Sequence, residues 1–212
     1  TSITYKITPG VVFDSIAFLM LDAITVQVTL TDGVTVVYNQ TKDLQTTVIT
    51  GSAIVIDWYT YFFSSIILIT DFAFLDITPY LNAVMDITIT YTGGTAKVGG
   101  IVFGQQTNLG ITAANPNPTF GTVDYSTKTQ DQWGNWSVTK RAFSKKMTAT
   151  LIVNNGAIDE IERLLASYRS ELLVWIGDVN YGSMIIYGYV KDHNTSAGYI
   201  NSSLSVEIEG LT

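Results

Sequence analysis

The chain has 212 residues, 47% of them hydrophobic and 14% charged, which is enough for one large or two small hydrophobic cores. It has no cysteine, which excludes disulfides, a thiolate nucleophile and a cysteine zinc site. The net charge is −7 without a basic patch, and the longest apolar run, near residues 66–69, is far shorter than a membrane span. Neither a nucleic-acid partner nor a membrane-spanning segment is therefore predicted.

The first segments read as short strands. Ile3, Tyr5 and Ile7 alternate with polar residues, and the Pro9-Gly10 pair ends this strand. Residues 13–21 are mostly apolar and predict a buried strand.

Residues 24–38 alternate on both sides of an Asp-Gly pair and predict a hairpin. A two-residue Asp-Gly turn would place Leu30 opposite Thr35, an apolar residue against a polar one. A three-residue loop, 31–33, places Leu30 opposite Val34 and puts Gly33 in the left-handed position of a bulged turn. The three-residue loop is the prediction.

Residues 86–104 predict another hairpin around Gly93-Gly94, because two glycines can adopt the positive φ angles of a type I′ turn. This turn sets Tyr91 opposite Ala96 and Ile89 opposite Val98, apolar against apolar.

The spacing of the short strands predicts a mainly β protein. Residues 1–112 are predicted to form a jelly-roll-like β-sandwich. Residues 113–122, which contain Asn-Pro-Asn-Pro at 115–118, are predicted to be a linker, because proline cannot continue a strand ladder. Residues 123–212 are predicted to form a second domain, a β-barrel or sheet with one helix.

Residues 124–143 in the second domain read as a long hairpin with Gly134-Asn135 at its tip, flanked by Trp133 and Trp136. Its arms are mostly polar, and an isolated two-stranded ribbon is marginally stable. We therefore expect the hairpin to lie on a neighbouring subunit, with Trp133, Asn135 and Trp136 at the interface.

The helix is predicted at about 157–169, with Asn155 or Gly156 capping its start and acids in its first turn. Its apolar stripe recurs at helical spacing. The stripe residues are Ile158, Ile161, Leu164, Leu165 and Tyr168. Strands are predicted at 147–153, 172–176, 184–190 and 204–208.

Catalytic and metal-binding patterns are weak. His193 is the chain's one histidine; it lies in a polar run without a nucleophile motif and reads as a surface-loop residue. Asp57, Asp71 and Asp76 could together offer oxygen ligands to calcium, but no calcium-loop motif is present. An enzyme, a cofactor and a metal are therefore not predicted.

The densest aromatic run, 58–63, places large rings on both faces of a strand. One face would pack in the core and the other would make a contact. Trp58, Tyr59 and Tyr61 are therefore candidates for a glycan or partner contact, with ordinary core or interface packing as the alternative.

Across nearly its whole length the chain resembles bacteriophage tail proteins of the group labelled carbohydrate-binding-domain proteins. The resemblance lies in structural residues spread along the chain rather than in one catalytic motif. They fall in residues 24–38, 57–63, 99–104 and 109–112, then in 124–126 with Lys128 and Asp131, 133–135, 141–145, 174–177, 186–189 with Lys191 and Asp192, and 204–212.

This resemblance implies a structural component of the tail tip or baseplate, with a galactose-binding-like sandwich followed by a domain similar to distal-tail hubs. Such a protein would form a homo-oligomer, a trimer or a hexamer, and would dock other tail, baseplate or fibre proteins. It would reside in the virion after assembly in the bacterial host cytoplasm. The alternative function is a carbohydrate-binding module for host surface glycans.

Overall fold

The structure is a computed structural model that describes residues 1–46, 67–81, 83–113 and 115–211. The chain divides into two compact units, Thr1–Gln106 and Thr107–Thr212. Both are built mainly from β-strands, and the one helix in the described ranges belongs to the second unit. The mainly β class and the placement of this helix are as the sequence predicts.

Alternating and fully apolar segments both become strands in the first unit. The strands are β1 Ser2–Ile7, β2 Ser15–Leu19, β3 Thr25–Asp32, β4 Thr35–Asp43, β5 Gln45–Thr46, β6 Ile67–Leu68, β7 Phe72–Phe74, β8 Val84–Thr90 and β9 Gly100–Gly104. One sheet has the order β1-β8-β3-β4, another the order β7-β2-β9, and β5 pairs with β6.

The core of the first unit is shared by side chains from the two larger sheets, which gives a sandwich-like arrangement. Val26, Val28 and Leu30 of β3 point into it on alternate positions, as a half-buried strand requires. Phe18 of β2 stacks on Phe72 of β7, with ring centroids 4.9 Å apart. The predicted buried strand in residues 13–21 is thus confirmed as β2.

The predicted hairpin at Gly93-Gly94 is wrong. β8 pairs with β1 on one side and with β3 on the other, so it has no free edge for β9. β9 pairs with β2 in the other sheet. Of the two glycines, only Gly93 has a positive φ, 86°. Local turn chemistry fitted a hairpin, but the long-range pairing of β8 overrides it.

The hairpin within residues 24–38 exists as β3 and β4, but its predicted loop is wrong. Asp32 pairs with Thr35, so the turn holds only Gly33 and Val34. Gly33 has φ 61°, which agrees with the predicted left-handed position. A register shift after Leu30 places this residue opposite Tyr38, so apolar pairing is recovered by a bulge within the ladder.

The second unit contains the longest strands of the described part of the chain and its one described helix. Its elements are β10 Ile111–Thr112, β11 Thr119–Asp124, β12 Thr127–Gln130, β13 Trp136–Thr139, β14 Phe143–Asn154, α1 Ile158–Ser167, β15 Leu173–Ile176, a 3-10 turn Gly182–Met184, β16 Ile185–Ser196 and β17 Asn201–Gly210. The sheet order is β10-β14-β17-β16-β15, and β11 also pairs with β14.

Helix α1 packs on this sheet through Ile161 and Leu165, which join a core with Leu204 and Val206 of β17. The predicted cap is wrong, because Ala157 is the N-cap and makes no side-chain cap hydrogen bond. Asn155 instead donates its side-chain amide hydrogens to the carbonyl oxygens of Gly198 and Tyr199.

The division between units falls at residue 106 rather than at the predicted 112, and residues 113–122 do not act as a free connection. β10 pairs with one end of β14, and β11 starts at Thr119 and pairs with its other end. The Asn-Pro-Asn-Pro segment thus connects two strands that both lie on β14.

Candidate functional site

Strands β12 and β13 form a two-stranded ribbon, residues 127–139, which pairs with no other strand in the described part of the chain. Every residue of both strands is exposed. Thr127 pairs with Thr139 and Gln130 with Trp136, so the predicted antiparallel hairpin is confirmed. A ribbon of this kind buries little apolar surface, and its shape must be held by other interactions.

The two faces of the ribbon differ in chemistry. Directly opposed residues of antiparallel strands lie on the same face, and positions two apart share that face. One face carries only hydroxyl side chains: Thr127, Thr129, Ser137 and Thr139. The other carries Lys128, Gln130, Trp136 and Val138. Trp136 and Val138 are 65% and 62% exposed, so this face presents apolar surface to water.

The loop of the ribbon, residues 131–135, is organised by one carboxylate. Asp131 Oδ1 accepts hydrogen bonds from the backbone N–H groups of Trp133 and Asn135, both at 2.8 Å, and Oδ2 accepts from Asn135 Nδ2 at 3.1 Å. Hydrogen bonds from Asn135 hold the pKa of Asp131 below its usual range. Gly134 has φ 83°. The loop is thus longer than the predicted Gly-Asn tip and contains Trp133, which is 79% exposed.

The base of the ribbon is tied to the sheet by polar contacts. Tyr125 donates its hydroxyl hydrogen to Glu209 Oε1 at 2.7 Å and lies 3.1 Å from Ser144 Oγ. The backbone N–H of Arg141 donates to Ser126 Oγ at 3.0 Å. Asp124 accepts from the Ser126 N–H at 2.9 Å, and its hydrogen bonds from Ser126 lower its pKa. These contacts fix where the ribbon leaves β11 and β14.

Basic residues are concentrated where the ribbon joins the sheet, a local cluster that the predicted absence of a basic patch did not anticipate. Of the 11 basic residues, five lie between positions 128 and 146, against one acid, Asp131. The five are Lys128, Lys140, Arg141, Lys145 and Lys146. Within the ribbon Lys128 and Asp131 balance, so the excess of positive charge lies at residues 140–146, where the ribbon joins β14, in a chain of net charge −7.

The other predicted contact residues, Trp58, Tyr59 and Tyr61, lie outside the described residues, as does Asp57. Asp71 is buried and accepts a hydrogen bond from the Met20 N–H at 2.9 Å. Asp76 accepts from the Tyr38 hydroxyl at 2.9 Å; burial of Tyr38 and this bond both raise the tyrosine pKa. Within the described ranges, no three His, Cys, Asp or Glu residues gather as metal ligands would.

His193 lies in strand β16 rather than in the predicted surface loop. Its Nε2 is 3.2 Å from Glu162 Oε2 on helix α1, and Thr195 donates its hydroxyl hydrogen to the other oxygen of that carboxylate. Glu162 therefore ties the helix to the sheet. His193 lies in a polar run of the sequence and Glu162 in the predicted helix, and no local pattern indicates that they meet.

A second organised loop connects β16 to β17 and was not predicted. Asn155 Nδ2 donates to the carbonyl oxygens of Gly198 at 2.9 Å and Tyr199 at 3.1 Å, and its Oδ1 accepts from buried Ser202 Oγ at 2.6 Å. The loop presents Tyr199, 100% exposed, and Ile200, 75% exposed. Only the pairing of segments distant in sequence could have revealed this clamp.

Two shallow recesses lie in the second unit. One, of about 480 Å³, is lined by Thr112, Pro118, Phe120, Gly177, Asp178, Tyr181 and Met184. The other, of about 260 Å³ and here called the Ile111 recess, lies at the end of β14 beside the start of α1. It is lined by Asn108, Leu109, Gly110, Ile111, Ile152, Val153, Asn154, Ala157 and Ile161.

Comparisons with known proteins add no family: the chain matches no protein-family model and no curated protein. In the described ranges, no helix is long and apolar enough to cross a membrane.

Proposed function

We propose that this chain is a structural component of a bacteriophage tail tip or baseplate, which assembles in several copies as a trimer or hexamer. In this function it docks other tail, baseplate or fibre proteins and resides in the virion after assembly in the host cytoplasm. The resemblance along nearly the whole chain supports the tail assignment. The role requires no catalytic group or cofactor.

The observation that carries the proposal is the exposed ribbon. Tryptophan is among the residues most enriched at the energetic centres of protein interfaces. Here Trp133 and Trp136 are 79% and 65% exposed on an element that contributes nothing to the core of its own unit. Contact with another subunit would remove both indoles from water.

The ribbon loop is suited to this role because it is held in one shape before any contact. Asp131 accepts three hydrogen bonds within the loop, two of them from Asn135. A preorganised loop loses less conformational entropy on binding, which favours affinity. In this assignment Trp133 and Trp136 make the contact, and Asn135 is a positioning residue.

The test is the native mass of the purified chain over a wide range of protein concentration. We expect a discrete oligomer for the wild type. The double variant Trp133→Ser/Trp136→Ser should raise the concentration of half-assembly at least about 30-fold, since a hot-spot residue contributes about 2 kcal/mol or more. Tyr181→Ser, which removes a 57% exposed aromatic residue elsewhere in the unit, serves as the matched control.

Two outcomes would contradict the proposal. One is a wild-type chain that remains monomeric at every concentration. The other is a double variant that assembles as the wild type does, which would show that the ribbon is not part of the interface.

A further inference from the structure

Strand β14 places two complementary surfaces at its opposite ends. The ribbon leaves the sheet at the start of β14, where Phe143 pairs with Asp124 of β11. The Ile111 recess lies at its other end and is lined by Ile152, Val153 and Asn154. Nine residue steps separate Phe143 from Ile152, and at about 3.3 Å per residue the two ends lie roughly 30 Å apart.

The Ile111 recess is apolar and open to water. Its rim includes Ile111, 73% exposed, and Ile152, 43% exposed, which pair across β10 and β14 and so share one face of the sheet. Apolar cavities of about 150 Å³ are known to hold a benzene ring. A recess of about 260 Å³ therefore has room for the larger indole ring of tryptophan.

The charges near the two surfaces are opposite. Ala157 and Ile161 line the recess, and between them in the first turn of α1 stand the exposed acids Asp159 and Glu160. The ribbon itself carries one basic residue, Lys128, and one acid, Asp131, and residues 140–146, where it joins the sheet, add four basic residues and no acid. Attraction between such surfaces guides an encounter and fixes its orientation.

We propose that the ribbon of one copy docks in the Ile111 recess of a second copy, with Trp133 or Trp136 seated in the recess. This inference rests on the proposed function and names the acceptor of the ribbon. Because donor and acceptor are different surfaces, the contact is head-to-tail, which closes into a ring when the rotation between copies permits. The partner is a second copy of this chain, selected by an apolar pocket beside two acids in the first turn of α1.

The test uses two variants of the full chain and their mixture. Ile111→Arg places a long charged side chain at the rim, where it should block entry of the indole, and the exposure of this residue keeps the fold intact. Trp133→Ser/Trp136→Ser removes the ribbon anchors. Each variant alone should be a monomer at concentrations where the wild type is oligomeric. Val34→Arg, at a 99% exposed position in the first unit, is the matched control and should assemble normally.

Mixing the two variants gives the decisive result. The ribbon variant retains a working recess, and the recess variant retains a working ribbon, so one head-to-tail contact can form. We expect the equimolar mixture to form a dimer and nothing larger, because the remaining ribbon and recess of that dimer are both disabled.

Other outcomes overturn the inference in distinguishable ways. If Ile111→Arg assembles like the wild type, or the mixture remains monomeric, the recess is not the acceptor, and the proposed function stands as long as the ribbon variant is monomeric. If the ribbon variant itself assembles normally, or the wild type never assembles, both the inference and the proposed function fail.

Discussion

Two hairpins of the second unit have similar loops and opposite environments. In β16–β17, alternate residues of β17 are buried, and Asn155 clamps the loop from outside the hairpin. In the ribbon every strand residue is exposed, and Asp131 organises the loop from within. One hairpin is stabilised by burial and the other by turn chemistry and polar ties. Changes in the ribbon should therefore leave the folding of the unit intact but impair its assembly.

The free energy of unfolding should change most between substitutions of two valines, one in each hairpin. Val206 of β17 is 2% exposed and Val138 of β13 is 62% exposed. Val206→Ala should lower the free energy of unfolding by about 2 kcal/mol, because it removes buried apolar surface. Val138→Ala should change it by less than about 0.5 kcal/mol. Chemical denaturation of both variants measures this, and equal losses would show that burial stabilises the two hairpins alike.

The next effect is on the clamp of the β16–β17 loop. Asn155→Ala removes two donated hydrogen bonds and one accepted from Ser202, and should lower the free energy of unfolding by about 1 kcal/mol. Hydrogen exchange and proteolysis should increase at residues 197–200. Asn194→Ala, at an exposed position on β16, is the control. Equal protection of the loop in both variants would show that Asn155 does not hold it in place.

A smaller effect is expected where α1 is tied to β16. Glu162→Gln removes the charge that faces His193 and Thr195 but keeps an oxygen acceptor. The free energy of unfolding should fall by about 0.5 kcal/mol. Glu160→Gln on the exposed side of the same helix is the control. A larger loss for Glu160→Gln would show that net helix charge, rather than this contact, matters.

The smallest effect concerns the ribbon loop at low pH. The pKa of Asp131 is lowered in the folded loop, so its contribution is present above the unfolded value, about 3.9, and is lost as pH falls through the lower folded value. The amide signals of Trp133 and Asn135 should therefore keep their positions until the pH is below about 4. In Asp131→Asn these signals should lose that transition. If the variant kept the same transition, the transition would belong to a titratable group other than Asp131.

Local patterns predicted much of this fold because they depend on neighbouring residues. The alternation of β3, the amphipathic stripe of α1 and the polar hairpin that became the ribbon all follow from such patterns. The sequence placed Trp133 and Trp136 beside the turn of a mostly polar hairpin, and both side chains are exposed there. An aspartate followed by glycine and asparagine at 131–135 is a pattern from which the longer loop could have been inferred.

The failures have a common physical cause, which is competition from distant partners. Gly93-Gly94 suited a tight turn, but β8 was already paired on both edges. Asn155 suited a helix cap, but its amide bonds to residues more than forty positions away. His193 meets Glu162 across the helix–sheet contact at a separation of 31 residues. Such choices depend on the assembled sheet and leave no local mark in the sequence.

The closing pair at the base of the ribbon has a practical consequence. Asp124 pairs with Phe143, and the Tyr125 N–H donates to the Ala142 carbonyl oxygen, so β11 and β14 are already joined before the ribbon begins. The ribbon is thus an appendage inserted at a finished hairpin end. The segment between positions 126 and 141 should accept shortening, exchange or a grafted peptide while the rest of the unit keeps its register, so the contact surface can be redesigned without altering the fold.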